Sequence, residues 1–370
     1  MTDHRRIAPF ILILVLLSAT ACVTSASPRE VPINAKPDPT ATPAPVLLPK
    51  DELAHDSRLE WWYHSGHLVS ESGREFGFHF VVFKADDGLG EPNLVAQLGL
   101  LDVETGEHYD LSRAEAGIRA PHANSTSVAM SLGIAGWDYS VSPNSGSQSI
   151  NAKTENISVS LQLEAKAPVM LHNEIGWIPT EAGATYYYSW PRQQASGELT
   201  LNGETLRVTG SAWFDHQWGD FFVLSKPAGW QWFAIQLDDG GSLMITEARG
   251  IDGNITETYG TYMSPEGEVK ALLSDTDGIE IGTTGEWTSP TTGATYPSGW
   301  AIDIESLAMN LLLSPDAKNQ EVQGGLPAAS TYWEGKVSVE GTQGGSPISA
   351  DAYVELSGYV DPEPVEWIHR

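Results

Sequence analysis

From Arg58 onward the chain is written in strand-length runs of alternating side chains, and this pattern constrains its fold more than any other feature. "EFGFHFVVFK" (75–84) sets Phe76, Phe78, Phe80 and Val82 on one face and Gly77, His79, Val81 and Phe83 on the other, the period of two that a pleated strand imposes. The same reading applies to "NISVSLQLEA" (156–165), "ETLRVTGSAWF" (204–214), "GWQWFAIQL" (229–237), "SLMITEARG" (242–250), "YWEGKVSVEG" (332–341) and "DAYVELSGYV" (351–360). Gly, Pro, Asn and Asp separate the runs, and "DDGG" between "FAIQL" and "SLMIT" is a compact hairpin signal. Beyond the N-terminal apolar run no segment sustains an apolar i, i+3, i+4, i+7 stripe for three turns. Only "SLAMNLLLSPD" (306–316) reads either way, and Pro315 would end it as a helix. The chain is therefore expected to be all-β, an antiparallel sandwich or barrel. Both faces of 75–84 carry apolar groups, so one should pack a neighbouring element and the other line a hydrophobic interior.

The N-terminus has a different grammar. "MTDHRRIAPFILILVLLSATAC" places Arg5 and Arg6 before an apolar run from about Ile7 to Leu17 and ends in small residues at Cys22. That is the pattern of an export signal, too short for a stable membrane span. Cys22, the only cysteine, directly follows Ala19-Thr20-Ala21 and resembles a bacterial lipobox. The expectation is cleavage after residue 21, lipidation of Cys22 and anchorage in a bacterial cell envelope. An ordinary secretory signal with a chance cysteine is the alternative. Without further cysteines no disulfide can form, so stability must come from core burial. Residues 23–50 hold seven prolines among Ser, Thr and Ala, a tether reaching roughly 3 Å per residue. The remaining length suits two domains, expected at 51–200 and 201–370. With 48 acidic against 20 basic residues, the chain lacks the clustered cations a nucleic acid demands, so that partner class is excluded.

"AWFDHQWGDF" (212–221) concentrates two carboxylates, an imidazole and four rings within ten positions. On an extended strand Trp213 and Asp215 point one way and Phe214 and His216 the other, unless a bend at Gly219 brings Asp215 and His216 together. A Trp-aromatic doublet with a nearby His also precedes the strand at 75–84, in "WWYHSGHL" (61–68). This loose echo suggests two similar halves.

Five blocks, "EWWYHSGHL" (60–68), the run from "YYYSWPR" to "AWFDHQWGDF" (186–221), "GWQWFAIQLDDGGSLMITEARG" (229–250), "YWEGKVSVEG" and "YVELSGYV", resemble in order and spacing the carotenoid 1,2-hydratase family (hydroxyneurosporene synthase, CrtC) and its secreted AttH-like lipoprotein branch. The resemblance covers about residues 55–365. It implies tandem lipocalin-like β-barrel domains holding a long apolar ligand, and an activity that adds water across a terminal isoprenoid double bond. Its His-x-Trp pair, implicated in catalysis, matches His216 and Trp218, with Asp215 adjacent; Asp238, Asp239, Tyr259 and Tyr262 are candidates for its further Tyr and Asp. Trp62, Tyr63, Tyr187, Trp213 and Trp232 are the expected ligand-binding residues.

The chemistry can be argued from the residue types alone. Hydrating a trisubstituted alkene needs a proton donor strong enough to form a tertiary carbocation, a surface that stabilises it, and water. A buried carboxyl stays protonated, and indole faces attract cations by about 1–2 kcal/mol when water is excluded. Asp215, His216 and Trp218, with Asp220, supply these types. The plainer reading makes His216 a brace and Asp215 and Asp220 local caps.

Two function classes follow: an envelope hydratase acting on an apolar isoprenoid or lipid-like small molecule, or a non-catalytic lipid-binding lipoprotein associated with a transporter. A glycan-active protein would need paired carboxylates, with Glu60, Asp215 and Glu247 as members. His64 and His67 have the spacing of metal ligands but no third and fourth partner, so neither a metal nor another cofactor is expected.

Overall fold

The computed structural model describes residues 43–85, 93–115, 129–142, 146–180, 183–219, 229–250, 252–323 and 331–360. The export signal, most of the tether, Cys22 and Asp220 lie outside the described residues. Of those described, 69% are strand and 4% helix, and the all-β expectation holds. The ambiguous 306–316 segment is a strand after a single turn, Met309–Pro315, because its apolar residues alternate.

The first sheet uses β1 (Leu59–Ser70), β2 (Glu75–Ala85), β3 (Asn93–Asp102), β4 (Glu107–Glu115), β5 (Met130–Ile134), β6 (Trp137–Ser142), β7 (Ser147–Lys153), β8 (Ile157–Ala165), β9 (Met170–Leu171), β10 (Trp177–Thr180), β11 (Gly183–Leu201) and β12 (Glu204–Gly219). Its order is β4-β3-β2-β1-β12-β11-β8-β7-β6-β5, with β9 and β10 on β11. The end strands β4 and β5 come back into contact, so the sheet is a nearly closed barrel. Its interior is filled by Trp62, Phe76, Phe78, Phe80, Tyr139, Tyr188 and Phe214. Full burial of one such Phe stabilises the fold by about 1.5–3 kcal/mol.

The second sheet uses β13 (Gly229–Leu237), β14 (Ser242–Arg249), β15 (Ile255–Met263), β16 (Val269–Leu273), β17 (Ile279–Thr283), β18 (Glu286–Thr288), β19 (Thr295–Pro297), β20 (Trp300–Ile304), β21 (Met309–Pro315), β22 (Glu321–Val322), β23 (Tyr332–Gln343) and β24 (Ser346–Ser357). Its order is β16-β15-β14-β13-β24-β23-β21-β20-β17, with β22 on β23 and β18 and β19 as a separate hairpin. It encloses a second core around Phe233, Trp300, Trp333 and Val354.

Sheet membership changes between Gly219 and Gly229, so the expected boundary at 200/201 falls inside the β11–β12 hairpin. The sequence echo also has a different meaning from the one expected. "WWYHSGHL" and "AWFDHQWG" are antiparallel neighbours in one sheet, with Trp62 opposite His216 and Tyr63 opposite Asp215, not equivalent strands of two halves. Their shared aromatic content reflects one shared layer.

That layer lies between the two sheets. The outward residues of β1, β2, β11 and β12 meet β13, β14 and β15 in a third buried cluster of Tyr63, Val81, Met170, Tyr187, Trp213, Trp232, Ala234, Met244 and Met263. This explains why both faces of β2 are apolar: Phe76, Phe78 and Phe80 fill the barrel while Val81 and Phe83 face the second sheet. A β-bulge at Trp190/Gln193 turns β11 outward. There Arg192 donates to the carbonyl of Leu237 and, at 2.6 Å, to that of Gly241. Gln236 Nε2 returns the tie by donating to the carbonyls of Pro191 (2.7 Å) and Ala212 (3.0 Å).

Candidate active site between the two sheets

Strand alternation divides the opening cluster. β12 runs extended through Gly219, so Asp215 and His216 point to opposite faces and no bend unites them. Asp215 joins Tyr63, Tyr187, Trp213 and Trp232 in the inter-sheet layer, whereas His216, Trp218 and Trp62 point into the first barrel. The eight expected site residues thus form two sites.

In the inter-sheet layer Asp215 accepts hydrogen bonds from Tyr187 (2.5 Å), Ser189 (2.5 Å) and Trp213 Nε1 (2.6 Å). Trp232 Nε1 of the second sheet donates to the Tyr187 hydroxyl at 3.0 Å, completing a Trp232–Tyr187–Asp215 chain across the interface. Burial raises the Asp215 pKa to about 6 against the pull of these donors. His172, held by Ser189 (2.8 Å) and Thr261 (2.9 Å), is kept neutral by burial, its pKa near 3.

Two residues not singled out in the sequence complete the layer. Glu334 on β23 and Glu355 on β24 stand directly opposite each other, and like charges so placed repel. Glu334 accepts a hydrogen bond from Tyr63 across the interface, and Glu355 accepts one from Trp230 Nε1 at 3.1 Å. Burial first and the Glu355 charge second push the Glu334 carboxyl well above its usual range. Burial likewise lifts Glu355 to about 7, with the Asp215 charge adding to it. Two carboxyls sharing such a site retain a proton at neutral pH. The signal was present in sequence as Tyr332-Trp333-Glu334 and Tyr353-Val354-Glu355. In each, an acid follows a tyrosine on the same strand face, an arrangement that solvated faces do not need.

Glu334, Tyr63, Tyr187 and Asp215 are buried, whereas Glu355, Trp230, Tyr259, Trp61 and Phe83 keep part of their surface open. The layer therefore has an aromatic rim and an acidic floor. Trp232 meets Tyr63 and Trp213 edge-on, with ring centroids 5.3 and 6.3 Å apart. Of the further sequence candidates, Tyr259 packs on this layer, Tyr262 lies in the second core, and Asp238 binds the Ser349 hydroxyl at 2.7 Å in the hairpin region.

The site inside the first barrel is electrostatically different. Glu60 Oε1 faces His55 Nδ1 at 2.8 Å and His216 Nε2 at 3.0 Å, and its other oxygen takes Lys84 Nζ at 2.9 Å. Burial alone would raise the Glu60 pKa, but the hydrogen bonds of His216 and His55 outweigh it and hold the carboxyl near 2. Burial lowers His216 to about 4, so at neutral pH it donates from a neutral ring. Trp218 stacks on His55, centroids 3.9 Å apart, and Trp62 stacks on His216 at 5.0 Å. His55, Glu60 and His216 bring donor atoms within 4.8 Å of one another, a set that matches a two-His, one-carboxylate metal ligation. Lys84 Nζ already pairs with the other oxygen of that carboxylate at 2.9 Å.

The proposed histidine and carboxylate groupings are separated by the same alternation. His64 faces Gln193 and Tyr139 in the barrel, while His67 faces Tyr353 outside it. Glu60, Asp215 and Glu247 lie in the barrel, in the inter-sheet layer and against Gln231, respectively.

Comparison with known proteins agrees with this architecture. The AttH-like family matches residues 39–359. The chain belongs to the AttH-like family. A crystal structure of an AttH from Nitrosomonas europaea is similar with a TM-score of 0.76 and 28% identity, covering 87% of this chain and 99% of that one. Kievitone hydratase of Fusarium solani subsp. phaseoli is 22% identical over 94% of this chain and 96% of its own length. The crystal structure of kievitone hydratase from Nectria haematococca shares the fold, with a TM-score of 0.68, 19% identity and coverage of 85% and 93%. Family membership thus rests on the AttH-like match, with hydratases among the relatives.

Proposed function

We propose that the protein is a hydratase-like enzyme that binds an apolar isoprenoid or lipid-like molecule between its two sheets and adds water across a C=C bond by acid catalysis. The observation that carries this reading is the Glu334–Glu355 pair, two facing acids beneath an aromatic rim. In this reaction Glu355 gives its proton to one alkene carbon and the other becomes a tertiary cation. The indole faces of Trp230 and Trp232 stabilise that cation by about 2 kcal/mol once water is displaced. Water then forms the C–O bond, and its surplus proton returns to the carboxylate, so one alkene and one water give one alcohol with the acid regenerated. The Trp232–Tyr187–Asp215 chain orients the incoming water. A carotenoid-type substrate, as the sequence resemblance implies, and an envelope location through lipidated Cys22 are part of the same proposal.

The second reading is a non-catalytic lipocalin-like carrier anchored at the membrane beside a transporter. It is favoured by Asp215, whose carboxylate already accepts three hydrogen bonds from the protein. Native mass spectrometry with solvent extraction of residues 43–370, incubated with mixed isoprenoids, separates the two. The enzyme reading expects a ligand with one added water from the wild type and an unhydrated ligand from Glu355→Gln. An unaltered ligand held equally by both proteins identifies a carrier.

A further inference from the structure

The outward face of β1–β4 carries polar groups that the reaction above does not use, and they form a continuous row. Ser65, His79, Gly99 and Asp110 stand directly opposite one another across β1, β2, β3 and β4. His108 lies two positions from Asp110 on the same face of β4. A Cβ on Gly99 would lie 2.1 Å from His79 Cε1, so the imidazole extends over Gly99 toward β4. On its other side His79 Nε2 lies 3.6 Å from Glu334 Oε2, with the rings of Tyr332 and Tyr353 at 6.5 and 6.3 Å.

His79 is completely buried, yet among the described residues neither of its ring nitrogens has a hydrogen-bond partner. The same holds for His108 Nε2, Asp110 Oδ1 and Gln97 Nε2 along this face. An unsatisfied buried polar atom costs about 1–3 kcal/mol, and a run of them in one place is the signature of groups that hydrogen-bond to water entering between them. His108 and Asp110 are half-buried on the outermost strand of this side of the sheet, where that water can enter.

We propose that His108, Asp110 and His79 line a hydrated path from the surface at β4 to Glu334, with His79 as the residue that relays protons between solvent and the Glu334–Glu355 pair. The proposal rests on the acid pair assigned above. Each turnover consumes one water and returns its surplus proton to the pair, so the path supplies the water. Exchange of the acid proton with solvent uses the same route: the solvent-side nitrogen of neutral His79 exchanges its proton with water, the other nitrogen takes the acid proton from Glu334 to give a transient imidazolium–carboxylate pair, and a flip of the ring returns the solvent-derived proton to the carboxylate. His79 is a positioning and relay residue, since it faces Glu334 and not the ligand.

The test follows the protonated-carboxyl infrared band of the substrate-free protein after rapid mixing into D2O at neutral pH. His79→Phe, which keeps a ring but removes both nitrogens, is expected to slow deuteration of that band by about tenfold or more, and His79→Gln to restore most of the rate. His108→Leu changes only the half-buried mouth and is expected to give the same slowing if His79→Phe fails to fold. Wild-type rates in His79→Phe, or in His108→Leu where it stands in, overturn the relay and leave the hydratase reading intact. Absence of the band in the wild type overturns the acid pair and the relay with it.

Discussion

Asp215 and His216 are neighbours in sequence and opposites in environment. On the outward face of β12, burial without a cation raises Asp215 to about 6 and Glu355 to about 7. On the inward face, His216 and His55 hold Glu60 near 2 through their hydrogen bonds and charge, and Lys84 Nζ lies 2.9 Å from its other oxygen. Asp215 and Glu60 are both buried. The difference shows that counter-charge, not burial, decides whether a carboxyl in this protein is an anion that braces the fold or an acid that can give up a proton.

The largest effect that would sharpen this contrast is expected at Glu60. Glu60→Ala leaves Lys84 buried without its anion and His55 with Asp51 alone, and should cost about 3–5 kcal/mol of stability in urea unfolding. A loss below about 1 kcal/mol, typical of surface pairs, would break the contrast. Next, Glu355→Gln should unfold at or above the wild-type denaturant concentration while losing hydration activity by about a hundredfold or more. Lost activity together with lost stability would make Glu355 a structural residue.

The two faces should also respond to pH with opposite sign. Folded pKa values raised from 3.8 to about 6 for Asp215 and from 4.5 to about 7 for Glu355 mean stability that is complete at low pH and declines as pH rises through 6 and 7. Glu60, lowered from 4.5 to about 2, contributes stability present above 4.5 and lost as pH falls through 2. Urea unfolding across pH should give a maximum in the weakly acidic range. Asp215→Asn should flatten the alkaline limb only, and Glu60→Gln the acid limb only. The smallest effect belongs to the tie between the sheets: Trp232→Phe removes one donor to Tyr187 and should cost about 1 kcal/mol in unfolding.

The strand pattern was legible because a period of two survives in any strand with one buried face, and 75–84 even showed that β2 is buried on both. Alternation likewise separated Asp215 from His216. The sequence could not reveal that Glu334 and Glu355, far downstream, complete the Asp215 layer, because cross-sheet pairing is set by packing between strands distant in the chain. For the same reason the sequence offers Glu60 only as a possible member of a carboxylate pair, whereas its partners His55 and Lys84 are supplied by the segment before β1 and by β2. The boundary expected near 200 differs on a local point: the β11–β12 hairpin keeps β12 in the first sheet.

The most direct test is a crystal structure of Glu355→Gln containing its unreacted alkene ligand. The account predicts ligand density between the two sheets, against Trp230, Trp232 and Tyr63, with the double bond at residue 355. Density inside the first barrel, against His216 and Trp218, would contradict it and move the chemistry to the other face of β12.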